Sequence, residues 1–271
     1  MSDLPIIGAQ LTVLDLPKQR DFLFEKNRDL ELPEFCMADI LAAPDPFIDM
    51  AKKALDGWQG RLGIHGPFSG FELDVKDREI RVVVQKRLLQ AMEAAEKLGA
   101  TQVVLHSPFN SWDGGNLDEK PKGREKRVSA ILETLAPAVK RAEDQGGELV
   151  LENIEDVDPG HRAAVVEAAD SASLKLSVDV GHAYWAEVSA GAPKVAEFIA
   201  VAGNDLRHVH LQDADGIADR HWCLGEGTLD FAPVFAELSK ISSTPRLIVE
   251  INEFNRVPEA VAHLAALGLG Q

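Results

Sequence analysis

Nine side chains able to hold a divalent metal recur at or just beyond the ends of short apolar runs. His65 lies in RLGIHGPF (61–68), His106 in QVVLHSPF (102–109) and Glu152 in ELVLENI (148–154). Asp179 lies in LKLSVDVGHA (174–183), with His182 three residues on. His210 lies in LRHVHLQDA (206–214) and Glu250 in RLIVEI (246–251), while Asp219 and His221 follow the 206–214 run. Imidazole and carboxylate ligands of this kind suit ions such as Zn²⁺ or Mn²⁺. A lone histidine in a strand is more often a packed structural residue than a ligand. Of the eight histidines, however, five fall at or just after run ends, which argues against coincidence. His208 shares a strand face with His210 and reads as an outer-shell or substrate-facing group. His161 and His263 lie in helix-like stretches and read as surface or structural residues.

These residues can meet only if the runs are strands whose ends point the same way. Two further runs, IIGAQLTVL (6–14) and DLELPEF (29–35), bring the number to eight. All are short, rich in Val, Ile and Leu, and bounded by Gly, Pro or Asp, as buried parallel strands are. Amphipathic stretches separate them at 43–58, 78–99, 125–143, 160–170, 192–203, 230–241 and 257–268. In 78–99 the residues Ile80, Val83, Val84, Leu88, Met92 and Ala95 share one face, and Gly99 sits at the C-cap position. Pro137 predicts a kink in 125–143. The 16–27 interval is helix-permissive but poorly periodic, and 110–126 reads as a long polar loop. The alternation predicts an α/β fold, a single (β/α)8 barrel domain over 1–271, ahead of a doubly wound open sheet. In such a barrel the ligand-bearing ends converge on the C-terminal mouth.

The formal charge of −16 argues against a generic binder of nucleic acid or anionic membranes. The best basic candidate, the cluster Lys120, Lys122, Arg124, Lys126 and Arg127, reads first as a solvated helix start, and Arg220 is the other candidate anchor for a phosphate. No run reaches the roughly 20 apolar residues of a membrane span, and the N-terminus lacks a signal-peptide pattern. With only Cys36 and Cys223, neither a disulfide scaffold nor a thiolate metal site is expected, and the chain reads as cytoplasmic.

The ordered segments GIHGPF, VVLHSP, LVLENIE, LSVDVGHA, HVHLQDADG, DRHWCLGEG and LIVEIN resemble the xylose-isomerase-like barrel superfamily. That group holds sugar and sugar-phosphate isomerases and epimerases as well as endonuclease IV. DRHWCLGEG (219–227) is the most specific segment and is similar to a stretch of endonuclease IV. The resemblance implies a four-ligand metal site of Glu152, Asp179, His210 and Glu250. It also implies that His65, His106, His182, Asp219 and His221 match the ligands completing a three-metal site, so one to three ions per chain are expected.

Two activities follow from the resemblance. In isomerisation or epimerisation of a small sugar, sugar phosphate or keto-polyol, Glu152 and Glu250 would exchange protons through a metal-stabilised enediolate. His182, Arg220, Trp185 and His208 would contact the substrate, and Trp112, Tyr184 and Trp222 lie in nearby loops. In phosphodiester hydrolysis, clustered metals would generate the nucleophile, but the charge of −16 weakens DNA binding. A non-catalytic metal-binding barrel is a third reading. A small carbohydrate is the expected partner, and a homodimer is plausible by resemblance alone.

Overall fold

The computed structural model describes residues 4–271. Eight strands, β1 (Gly8–Gln10), β2 (Leu30–Leu32), β3 (Leu62–His65), β4 (Gln102–His106), β5 (Glu148–Glu152), β6 (Leu174–Asp179), β7 (Leu206–Leu211) and β8 (Arg246–Val249), pair in sequence order. Every pairing is parallel, and β8 closes on β1. The chain is thus a closed (β/α)8 barrel, not an open sheet.

Helices cover the outside because their apolar faces have nowhere else to go. The helix Arg78–Leu98 buries Val84, Leu88, Ala91 and Ala95; its neighbour Gly123–Gln145 buries Ile131, Leu135, Ala138 and Ala142. Asp77 caps the first by accepting from the backbone N–H groups of Glu79 and Ile80. Gly99 and Gly146 end the two helices at φ of 75° and 67°, where a Cβ would be strained.

The structure departs from the sequence reading in several places. Ile80 and Val83, expected on the apolar face of 78–99, are exposed, and the buried face is carried by Val84, Leu88, Ala91, Met92 and Ala95. The polar loop after β4 contains the helix Ser111–Asn116, set by a reciprocal cap between Asn110 and Asp113. Gly123–Gln145 is one continuous helix through Pro137. The weak interval after β1 forms the short helix Arg20–Glu25. The run 174–183 is strand only to Asp179, whose carboxylate accepts from the His182 N–H at 2.6 Å and starts the helix Val180–Ala190. Strand therefore becomes helix at a candidate ligand.

Strand register sets the side-chain neighbours at the mouth. His106 pairs with Glu152, and Asp179 with His210. Arg162, buried in the helix Pro159–Ala169, donates to the carbonyls of Leu151 and Ser177 and lies 3.0 Å from Asp156. It fixes that helix to the ends of β5 and β6. Leu135 is fully buried between helix and barrel, so Leu135→Ala should cost roughly 2–5 kcal/mol. A lower denaturant midpoint with unchanged metal content would match that role; an unchanged midpoint would contradict the packing.

Candidate metal centre

The barrel brings all nine candidate ligands to one end. His65, His106, Glu152 and Asp179 are the last residues of their strands, His210 is next to last in β7, and Glu250 follows β8 directly. His182 opens the helix after β6; Asp219 and His221 sit in the loop after β7. Their ligand atoms fall into three groups, each within 4.8 Å: His65–His106–Glu152, Glu152–Asp179–His210–Glu250, and His182–Asp219–His221.

Ligands about 2.0–2.1 Å from a tetrahedral ion lie roughly 3.3–3.4 Å from one another. His65 Nε2 and His106 Nε2 are 3.2 Å apart, each 3.7 Å from Glu152 Oε2. That carboxylate oxygen is buried and has no hydrogen-bond partner, and with two imidazole nitrogens facing it such an oxygen suits a cation. In the central group His210 Nδ1 lies 2.8 Å from Glu152, 3.1 Å from Glu250 and 4.0 Å from Asp179. In the third group Asp219 Oδ1 lies 3.4 Å from His182 Nε2 and 3.0 Å from His221 Nε2. The donor set and its spacing fit divalent metals.

The imidazoles are oriented from behind. Carbonyl and carboxylate oxygens only accept, so each fixes a proton on the ring nitrogen it faces. His65 Nδ1 donates to the Gly66 carbonyl and His182 Nδ1 to the Asn153 carbonyl, both at 3.0 Å. Each ring's Nε2 is thereby turned toward its group. His210 is turned the other way: its Nε2 donates to Glu31 at 3.1 Å and its Nδ1 faces the carboxylates. Such outer partners fix ring orientation and raise ligand basicity.

Charge at the mouth follows burial and neighbours. Burial works against ionisation of Glu152, but His210, His65 and His106 hold its carboxyl well below the usual range. Burial raises the Glu250 carboxyl. Burial and then His65 push His106 down to about 3. Against their burial, His182 is raised to about 10, chiefly by Asp179 and Asp219, and His221 to about 9, chiefly by Asp219 and Glu250.

The remaining predicted site residues lie further off. His208 is fully buried, held by Ser177 at 2.8 Å and 3.0 Å from Glu31, so it backs Glu31 and has no access to a substrate. Of its two expected roles the outer-shell one fits and the substrate-facing one is corrected: two residues before His210 on an inward face means one layer deeper in the barrel. Arg220 is engaged by Asp215 at 2.8 Å and lies over Trp222. Trp185 is half-buried against the core, while Trp112 is 69% exposed. Beside His106 a cavity of about 190 Å³ is lined by Phe68, Phe71, Phe109, Glu72, Asn110 and Glu155.

Sequence reasoning missed Gln10 and Glu31. Gln10 donates to Glu31 at 2.9 Å and to Glu250 at 2.5 Å. The signal for Glu31 was a lone carboxylate between Leu30 and Leu32, because a charge facing into a barrel needs partners.

A closed parallel barrel with clustered imidazoles and carboxylates at its C-terminal mouth defines a class of barrels suited to holding metal. The chain belongs to the xylose isomerase-like TIM barrel family, whose model matches residues 32–267. It is 29% identical over 199 residues to the uncharacterized protein MJ1311 of Methanocaldococcus jannaschii, covering 69% of this chain and 62% of that protein. The match thus spans less than two thirds of that relative. A solved structure of the TTHB071 protein from Thermus thermophilus, soaked with ZnCl2, superposes with a TM-score of 0.74 at 27% identity, covering 98% of this chain and 99% of that one. A D-tagatose 3-epimerase-like protein superposes with a TM-score of 0.73 at 23% identity, covering 97% and 96%.

The partnership of Glu31 with His210 is directly testable. Glu31→Gln should weaken metal binding roughly 10–100-fold without unfolding the chain, read by competition with a chromophoric chelator. An unchanged affinity would show that Glu31 does not orient His210.

Proposed function

We propose that the protein is a divalent-metal-dependent isomerase or epimerase of a small carbonyl sugar or related keto-polyol. The observation that carries this reading is the convergence of Glu152, Asp179, His210 and Glu250 within 4.8 Å at the barrel mouth. The family, and the epimerase names among structures of similar fold, support it. Zn²⁺ and Mn²⁺ both suit this donor set, and the three groups have ligands for one to three ions per chain. A cation held there would supply Lewis acidity, stabilising negative charge on substrate oxygens as a carbon-bound proton leaves. The chain's own part is proton transfer at two carboxylates. Glu152 and Glu250 both approach His210 Nδ1, so a substrate bound over the central group lies within reach of both. His182, at the edge of that group, is placed to hold a substrate oxygen, and the cavity beside His106 to hold the rest of a small polyol.

The two outer groups favour a second reading, metal-dependent phosphodiester hydrolysis. Against it stand the charge of −16 and the engagement of two arginines by carboxylates. Arg220 is paired with Asp215, and Arg127 with Asp74 and Asp113.

Metal-replete protein should exchange a carbon-bound proton of its sugar with deuterium oxide, followed by NMR. Glu250→Gln should slow that exchange by roughly 10²–10⁴-fold, the usual contribution of a positioned acid or base. Exchange at the wild-type rate would remove Glu250 from its role. His106→Ala and His221→Ala should leave exchange nearly intact, whereas both should be severe in a multi-metal hydrolase. Chelator-sensitive nicking of abasic duplex DNA, falling steeply with salt, would put the hydrolase reading first.

A further inference from the structure

Gln212, a residue outside the nine ligands, joins two of the three groups. It is fully buried at the end of β7. Its Nε2 lies 3.2 Å from both oxygens of Asp179, and 3.3 Å from Asp219 Oδ1 and from His221 Nε2. Its Oε1 accepts from the His221 backbone N–H at 2.8 Å. One amide thus touches a carboxylate of the central group and both loop members of the third.

The two sides depend on Gln212 to different degrees. Asp179 keeps other anchors: its carboxylate accepts from the His182 N–H, and its backbone is paired at both ends with the Asn153 side chain. Asp219 is 54% exposed, and its only neighbours among the described contacts are His182, His221 and Gln212. His221 has a left-handed backbone with φ of 48°, which a residue other than glycine rarely adopts. Two backbone hydrogen bonds brace it, one from its N–H to Gln212 and one to its carbonyl from Asn252 at 3.0 Å. Space for the amide is kept by Gly181, where a Cβ would stand 2.4 Å from Gln212 Cδ.

We infer that Gln212 is a positioning residue that ties the His182–Asp219–His221 group to the central group, so occupancy of the outer group depends on its amide. The inference rests on the metal-holding reading above. Removing the amide takes from Asp219 its one contact outside the outer group and from His221 one of its backbone braces, leaving His221 the Asn252 N–H on its carbonyl and the Glu250 carbonyl 3.3 Å from its Nδ1, while Asp179 stays anchored. The loss is therefore selective for one group.

The test is zinc titration of metal-stripped protein against a chromophoric chelator, with ion content per chain counted by mass spectrometry. In Gln212→Met the weakest equivalent should lose roughly 10–100-fold in affinity, and the purified chain should carry one ion fewer. The remaining equivalents should stay within about twofold of wild type. Gly181→Ala should reproduce this pattern by a different route, displacing the amide without deleting it. His182→Ala identifies which equivalent belongs to the outer group. A uniform weakening of every equivalent in both variants would overturn the inference in favour of a general framework role. An unchanged titration in both, or a His182→Ala variant that loses no ion, would overturn it as well. A wild-type chain that takes up no zinc at all would instead overturn the metal-holding reading.

Discussion

Four carboxylates, Glu31, Glu152, Asp179 and Glu250, are held around one imidazole, His210, at the upper end of the barrel. The first three are almost wholly removed from solvent. Two like charges 4 Å apart repel by about 4 kcal/mol at an effective dielectric constant near 20, and burial adds a cost for each ion. The arrangement can persist only where positive charge is supplied. Without metal the imidazoles carry it: Glu250, Glu152 and Glu31 raise His210 well above its usual range against the effect of burial. A divalent cation held there would do the same work with less crowding. Other inward-facing side chains follow from this need, with Gln10 bridging Glu31 to Glu250 and His208 backing Glu31 from below.

The loop after β7 answers to a further buried carboxylate, Asp213. It accepts from the backbone N–H groups of Ala214, Leu229 and Gly225, drawing a segment of sixteen residues around one side chain. Trp222 and Asp213 exchange backbone hydrogen bonds at 3.1 Å, and Gly227 passes so close that a Cβ would stand 2.2 Å from the Asp213 carboxylate. The glycines of LGEG thus permit a close approach, and the approach turns Asp219 and His221 inward.

Much of this was legible along the chain. Parallel strands buried on both faces read as apolar runs, and a polar residue at the end of such a run stands out, which is why the ligand-bearing ends were visible. Glu31 was not, although it is as polar as the others, because it sits in mid-strand and its partners come from β1 and β7. Only closure of the barrel brings β1 beside β8 and points Glu31 at His210. The strand–helix boundary at Asp179 was blurred for a related reason. The residues after it are apolar enough to continue a strand, and the cap that ends the strand is the same carboxylate that faces the central group. Gln212 was hidden by its chemistry, since an amide beside a row of ligands carries no ligand signature.

The charge around the mouth limits what the centre can receive. Arg256 is held by Glu226, Glu253 and Glu259, Lys18 by Asp15, and Arg127 and Arg220 by their own carboxylates. Glu72 and Glu155 line the cavity beside His106, and neither has a basic partner among the described ion pairs. A phosphate group entering there would meet carboxylates and phenylalanine rings, with no free guanidinium in the lining. A neutral polyol would find acceptors for its hydroxyls and apolar walls for its carbon faces. The positive charge it needs would lie past His106, at a cation held by the central group of Glu152, Asp179, His210 and Glu250. The −16 charge of the chain and the donor set of its mouth thus work in the same direction: both favour cations over anions at the mouth, and a cation held there would draw in the oxygens of a substrate.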